Sequence, residues 1–268
     1  RGDGDVEWLD DEGVAAELRR LAEEPGVTRP AESLGQFSLA GAQPKTALLF
    51  REGRWGIPSG AIPTTHILKP PTGGLDHLAE NEHLCLRLAQ ALGISAANSE
   101  LMDFDAQVAI VVERYDRAVV GDGRLVRLHQ EDLCQSAGVR PYPKYESEGG
   151  PVVDRIVALV RENSTKATED IDRFIAALAF NWAIGGSDGH AKNYSVLIGS
   201  NQIRLAPLYD LISVLPYPRA FGKRDRVQLA MKIGGESRVG WIQPRHWRRL
   251  AEEVGLDPGQ VSSRVASV

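Results

Sequence analysis

The sequence predicts an α+β protein of two lobes, the first rich in strands and the second in helices. Three observations carry that expectation. Short apolar runs separated by Gly- or Pro-bearing turns fill much of residues 46–112. Longer stretches of helical periodicity dominate beyond residue 118. Of 268 residues 43% are hydrophobic and 25% charged, ordinary proportions for a globular chain that can bury two modest cores. The same composition excludes a wholly disordered, collagen-like or disulfide-rich chain, and no run reads as a membrane helix.

Taken in order, residues 6–23 read as one amphipathic helix, with Leu9, Val14, Leu18 and Leu21 as its apolar stripe. Pro25 and Gly26 end it, and 27–36 reads as a linker. Strands are expected at 46–50, 55–57 and 64–69, then a helix over 76–92 where Leu84, Leu88 and Leu92 recur every fourth residue before Gly93. A buried strand at 108–112 leads into Glu113-Arg-Tyr-Asp-Arg117. The strongest helix is 171–184, with Ile171, Phe174, Ile175, Leu178 and Trp182 on one face and Gly185 beyond its end. A loop, 187–193, then precedes a hairpin of strands 194–198 and 203–205. Helices close the chain from about 241. The expected division is 1–36 as helix and linker, 37–117 as the strand-rich lobe and 118–268 as the helical lobe.

The formal net charge is −5, from 31 basic and 36 acidic residues, which argues against a protein that coats nucleic acid. One basic stretch, Arg219, Lys223, Arg224 and Arg226, reads either as a solvated loop or as a surface for DNA or an acidic partner. Cys85 and Cys134 sit in apolar helical contexts and read as reduced, buried thiols of a cytoplasmic protein.

The chemistry begins in Ser187-Asp-Gly-His-Ala-Lys-Asn193. An Asp followed five residues later by an Asn, then a hairpin, then Pro207-Leu-Tyr-Asp210, is the set that phosphoryl transfer from ATP requires. One carboxylate orients the attacking hydroxyl, while an amide oxygen and a second carboxylate hold Mg²⁺ over the phosphates. Asp188, Asn193 and Asp210 match those roles in spacing and context. His190 and Lys192 lie within the loop, where Lys192 can reach a phosphate. Upstream, Thr65-His-Ile-Leu-Lys69 ends a strand in a cation suited to the ATP phosphates. Glu80 and Glu82 are its acidic candidates on the next helix, with Glu82 preferred. Val111-Val-Glu-Arg-Tyr115 is placed as a hinge strand for adenine. The loop Ser38-Leu-Ala-Gly-Ala-Gln-Pro-Lys-Thr46 is small and polar, as a phosphate loop must be, but it lacks the Gly pattern of a Walker loop.

Together with Asn81-Glu82, His129-Gln-Glu-Asp-Leu-Cys-Gln135, Lys144-Tyr145, Gly149-Gly-Pro151 and Asn181-Trp182, these motifs resemble the HipA-type kinases. That family comprises the Ser/Thr protein kinase toxins of bacterial toxin–antitoxin systems. The resemblance covers about residues 33–250. It implies a protein-kinase-like two-lobed fold, Asp188 as catalytic base, and Asn193 and Asp210 as Mg²⁺ ligands. It makes Lys69 the phosphate-pairing lysine and lays Lys45 with Leu39, Ala40, Gly41, Ala42 and Gln43 along ATP, with Glu113 and Tyr115 at the adenine hinge. Ser38 matches a serine that members autophosphorylate, a modification that withdraws the loop and silences the kinase. The resemblance further implies a protein substrate such as an aminoacyl-tRNA synthetase or another translation component, growth arrest as the outcome, and an antitoxin with a DNA-binding domain as partner. Gln130 and Asp132 match a recurring motif to which packing is the default role. Family members carry a further N-terminal subdomain that contacts the antitoxin; residues 1–30 resemble only the helix that joins it to the core. The chain is accordingly expected to be a portion of a longer protein or a compact branch. Two other readings stand beside the protein kinase: a catalytically silent partner of a DNA-binding antitoxin, and a small-molecule kinase.

Overall fold

A computed structural model describes residues 4–23, 43–71, 74–121, 123–139 and 144–268. The chain divides into two compact units, one of residues 1–84 and 97–127, the other of 85–96 and 128–268.

The first unit is built on six strands: β1 (Val6–Leu9), β2 (Thr46–Arg51), β3 (Arg54–Pro58), β4 (His66–Lys69), β5 (Ser99–Phe104) and β6 (Gln107–Glu113). They hydrogen-bond in the order β1-β3-β2-β4-β6-β5, every pair antiparallel. Helix α1 (Asp11–Glu23) lays Val14, Ala15 and Leu18 against Leu48, Trp55, Leu68, Phe104, Ala109 and Val111 in one core. All of Ala109, Ile110, Val111 and Val112 are buried, so both faces of β6 are covered, which is why this strand reads as a continuous apolar run. A short ribbon, β7 (Arg117–Val119) with β8 (Leu125–Arg127), follows the sheet.

Two expectations need correction. Residues 6–9 are a strand and not the start of a helix: Val6 pairs with Pro58 and Leu9 with Trp55. Asp10 makes the break, because its side chain accepts from Gly13 N at 2.9 Å and caps α1. Gly56 lets β1 approach, since a Cβ there would fall 2.5 Å from Val6 Cγ1. The second correction concerns α2 (Leu78–Ala91), whose Leu84, Leu88 and Leu92 stripe faces solvent at 66%, 43% and 37% exposure. The buried face is Ala79, Glu82, Cys85, Leu86 and Ala89. Both stripes share the helical period, and the inward one looks weaker in sequence because it holds a glutamate.

In the second unit β9 (His129–Asp132), β10 (Ser195–Ile198) and β11 (Ile203–Leu205) form an antiparallel sheet in the order β11-β10-β9. The β10–β11 hairpin is the expected one; β9 joining it across more than sixty residues is not visible in local sequence. Gln130 and Asp132 gain definite roles there. Gln130 Nε2 donates to Ser195 Oγ at 3.3 Å, and Asp132 forms a capping box with Gln135 at the start of α3 (Leu133–Ser136). Cys85 and Cys134 are buried free thiols, as expected, and burial pushes the Cys134 thiol up.

Helices α4 (Val153–Asn163) and α5 (Ala167–Ile184) pack together. The remaining elements are α6 (Pro218–Phe221), β12 (Gln228–Ile233), β13 (Glu236–Arg238), α7 (Pro244–Glu253) and α8 (Pro258–Ala266). The basic stretch gives one arginine to the fold: Arg224 donates to the Ala183 and Trp182 carbonyls at 3.0 and 3.2 Å, capping the C-terminal end of α5. No helix among the described residues is long and apolar enough to cross a membrane.

Asp170, wholly buried in the first turn of α5, ties that helix to β11. Its carboxylate accepts from Ser164 Oγ at 2.6 Å, Arg173 Nη1 at 2.9 Å, the Leu205 amide at 2.9 Å and Arg204 Nε at 3.0 Å. Burial alone would raise this carboxyl, but the hydrogen bonds from Arg204, Ser164 and Leu205 and the Arg204 charge hold it below the usual carboxylate range. Asp170→Ala is expected to cost about 3–5 kcal/mol, because it strands buried partners built around a charge. Urea unfolding measures it. The depressed carboxyl stabilises the fold above its unfolded pKa of about 4, and that contribution is lost as pH falls through the lower folded value.

Candidate active site

The loop that follows α5 is fixed from both ends. Asn181 in the last turn of α5 donates to Tyr194 OH at 2.9 Å, and Tyr194 is buried edge-on against Phe174. Tyr209 closes the other side: its hydroxyl donates to the Lys192 carbonyl at 2.7 Å and lies 2.6 Å from Ser195 Oγ. The chain from Pro207 to Asp210 is thereby bound to the 187–193 loop through the residue just before Asp210. Asp210 itself adopts φ 57°, a left-handed backbone that Asp and Asn tolerate better than most residues.

This arrangement brings Asn193 to Asp210, with Nδ2 3.4 Å from Asp210 Oδ2. Asn193 is buried, and its Oδ1 has no hydrogen-bond partner among the described residues. An orphaned amide oxygen beside a carboxylate is a fitting donor set for Mg²⁺, which takes hard oxygens from one or two side chains and completes its shell with phosphates and water. Among the described residues no group of three or more His, Cys, Asp or Glu side chains could hold a metal ion.

Asp188 lies in the same loop, its side chain 61% exposed. Its Oδ1 accepts from Tyr145 OH at 2.5 Å and lies 3.7 Å from His190 Nε2. His190 is buried, and its Nδ1 has no hydrogen-bond partner among the described residues. Burial pushes its pKa down, with Asp188 opposing, so the ring is neutral at pH 7 and is a poor anchor for phosphate charge. Lys192 is half-buried at the loop's far end.

In the first unit the structure brings Lys69 to Glu82 and leaves Glu80 elsewhere. Lys69 Nζ, on β4, is 2.7 Å from Glu82 Oε1, on α2, with side-chain exposures of 6% and 1%. Glu80 is solvent-facing and pairs with His77 at 3.2 Å. Glu113, at the exposed end of β6, accepts from Asn98 Nδ2 at 2.9 Å, and Tyr115 is half-buried two residues on. The backbone between them is stiffened by Asp116, bridged by Arg114 at 2.8 Å and Arg117 at 2.9 Å. Gln43 and Lys45 precede β2 and are half-buried. Ser38, Leu39, Ala40, Gly41 and Ala42 lie outside the described residues.

Sequence reasoning assigned no role to Tyr145 or Tyr209. Both stood inside quoted motifs, but their partners, Asp188 and the Lys192 carbonyl, are 43 and 17 residues away in the chain, and no local period signals such contacts.

Known proteins resemble this chain in sequence and in fold. The family model described as HipA-like C-terminal domain matches residues 37–268. The Y4mE protein of Sinorhizobium fredii is 37% identical over 260 residues, 97% of this chain and 60% of that one. The serine/threonine-protein kinase toxin HipA of Shewanella oneidensis is 33% identical over 245 residues, 87% of this chain and 55% of that one. This chain thus spans about three-fifths of the length of these relatives. Among solved structures, that of Shewanella oneidensis HipA with HipB and operator DNA superimposes with a TM-score of 0.83 at 27% identity, covering 100% of this chain and 63% of that one. The proinflammatory kinase CtkA of Helicobacter pylori superimposes with a TM-score of 0.53 at 12% identity over 85% of this chain and 82% of that one, a likeness of fold alone.

Proposed function

The chain belongs to the HipA-like C-terminal domain family, with an α+β, protein-kinase-like fold, and on that premise we propose that it is an ATP- and Mg²⁺-dependent protein serine/threonine kinase. The observation that carries the proposal is the loop geometry: Asn193 and Asp210 meet at 3.4 Å, and Asp188 stands exposed in the same loop.

In this reading Asp188 accepts the proton of a Ser or Thr hydroxyl as that oxygen attacks the γ-phosphorus, while the bond to the ADP oxygen breaks. Lys69, held by Glu82, pairs with the phosphates, and Lys45, Lys192 and the backbone of 39–43 lie along them. Glu113 and Tyr115 border adenine. Mg²⁺, held by Asn193 Oδ1 and Asp210, would neutralise charge building on the transferring phosphoryl group. Of the residues assigned to ATP, His190 is the weakest, because it is buried and neutral.

Ser38 is proposed as the autophosphorylation site. A phosphoserine brings close to two negative charges beside a site shaped for the ATP polyphosphate, so it opposes nucleotide binding. The proposed protein substrate is an aminoacyl-tRNA synthetase or another translation component, with growth arrest as the consequence. The proposed partner is a DNA-binding antitoxin, by analogy with the HipB and operator DNA found with the Shewanella protein.

Intact-protein mass after incubation with ATP and Mg²⁺ tests the activity. A gain of one phosphate mapped to Ser38 is expected. No gain, from protein shown to begin unphosphorylated and folded, would overturn the proposal in favour of a silent antitoxin partner.

A further inference from the structure

We propose that Tyr145 is a positioning residue for the base, its hydroxyl holding one oxygen of Asp188 so that the other is presented to the acceptor hydroxyl. The contact is direct, Tyr145 OH to Asp188 Oδ1 at 2.5 Å, on a carboxylate otherwise open to solvent. An exposed Asp with no such donor turns freely about its side-chain bonds. Here one oxygen is pinned, and the carboxylate plane with it.

The mount behind Tyr145 is rigid, as an orienting device requires. Its carbonyl accepts from Gly150 N at 2.9 Å and Glu148 N at 3.0 Å. Gly150 is needed for that turn, because a Cβ there would fall 2.8 Å from the Tyr145 carbonyl oxygen. Glu146 anchors the segment to β12, accepting from Lys232 N at 2.7 Å and pairing with Lys232 Nζ at 3.2 Å. The Tyr145 ring meets His190 edge-on at 5.1 Å, and Lys144 Nζ lies 4.9 Å from its centre. Burial and the Asp188 bond push the phenol well above its ordinary pKa, so it remains a donor throughout the working pH range.

The hydroxyl fixes the orientation of the base. Tyr145→Phe, which keeps the ring, is therefore expected to lower kcat by about ten- to a hundredfold through misplacement of the base. KM for ATP should stay the same, a split between kcat and KM that a merely structural role would not give. Glu146→Gln, which leaves Tyr145 intact and loosens its mount, should change kcat in the same direction by less. The inference rests on Asp188 being the base, which Asp188→Ala tests separately. If that variant is active, the functional reading fails. If it is inactive but Tyr145→Phe matches the parent in kcat, only the present inference fails. A rise in kcat/KM for a protein acceptor in Tyr145→Phe, or phosphate mapped to Tyr145, would also overturn it, for the hydroxyl would then occupy the acceptor's own place.

Discussion

Asp188→Ala is expected to reduce phosphoryl transfer by about two to four orders of magnitude while the protein stays folded. The side chain is largely solvent-exposed and gives up one hydrogen bond, from Tyr145, so its loss should cost no more than about 1–2 kcal/mol. Asp210→Asn should likewise be inactive and folded. Asparagine tolerates the left-handed backbone at φ 57° as well as aspartate does, so the substitution removes a charge beside Asn193 without adding strain. Transfer from radiolabelled ATP, measured beside circular dichroism, gives both answers. Full activity in either variant would remove that residue from the site.

The buried Lys69–Glu82 pair supports the second large effect, and it separates stability from chemistry. Glu82→Ala leaves the Lys69 ammonium, 5% exposed, without the carboxylate 2.7 Å away, and should cost about 3–5 kcal/mol. Replacing both residues by methionine should recover most of that loss, because well-packed apolar side chains commonly equal a buried ion pair in stability. The doubly substituted protein should nevertheless transfer no phosphate, having lost the cation proposed for ATP. Guanidine unfolding and the kinase assay together decide the matter. A stable double variant with parental activity would make the pair a purely structural one.

The pair also explains why the inner face of α2 was hard to read. Sequence periodicity marks the stripe of Leu84, Leu88 and Leu92 on that helix. Glu82 turns inward because Lys69 waits there, a fact set by strand β4 thirteen residues earlier and by the fold that brings them together. The same limit hid β1. The spacing of Val14, Leu18 and Leu21 is truly helical, but Leu9 belongs to a strand whose partner is residues 55–58.

The proposed site divides along similar lines. Asp188, Asn193 and Asp210 were legible because a helix, a loop and a hairpin bring them together within 23 residues, and each of those elements is specified by its own neighbours. Lys69 was legible as a cation at a strand end. Tyr145, Tyr209 and the Asp170 hub were not, because each depends on a hydrogen bond to a segment 17 to 43 residues away.

By itself, then, the sequence determined the local elements and the family, through period, turn residues and motif spacing, all properties of neighbouring side chains. Tertiary structure alone decided which face of α2 is buried, that residues 6–9 complete a sheet, that β9 joins the hairpin and that a tyrosine holds Asp188. Those outcomes turn on charge compensation and hydrogen bonding between groups remote in the chain, and such pairings exist only once the backbone has folded.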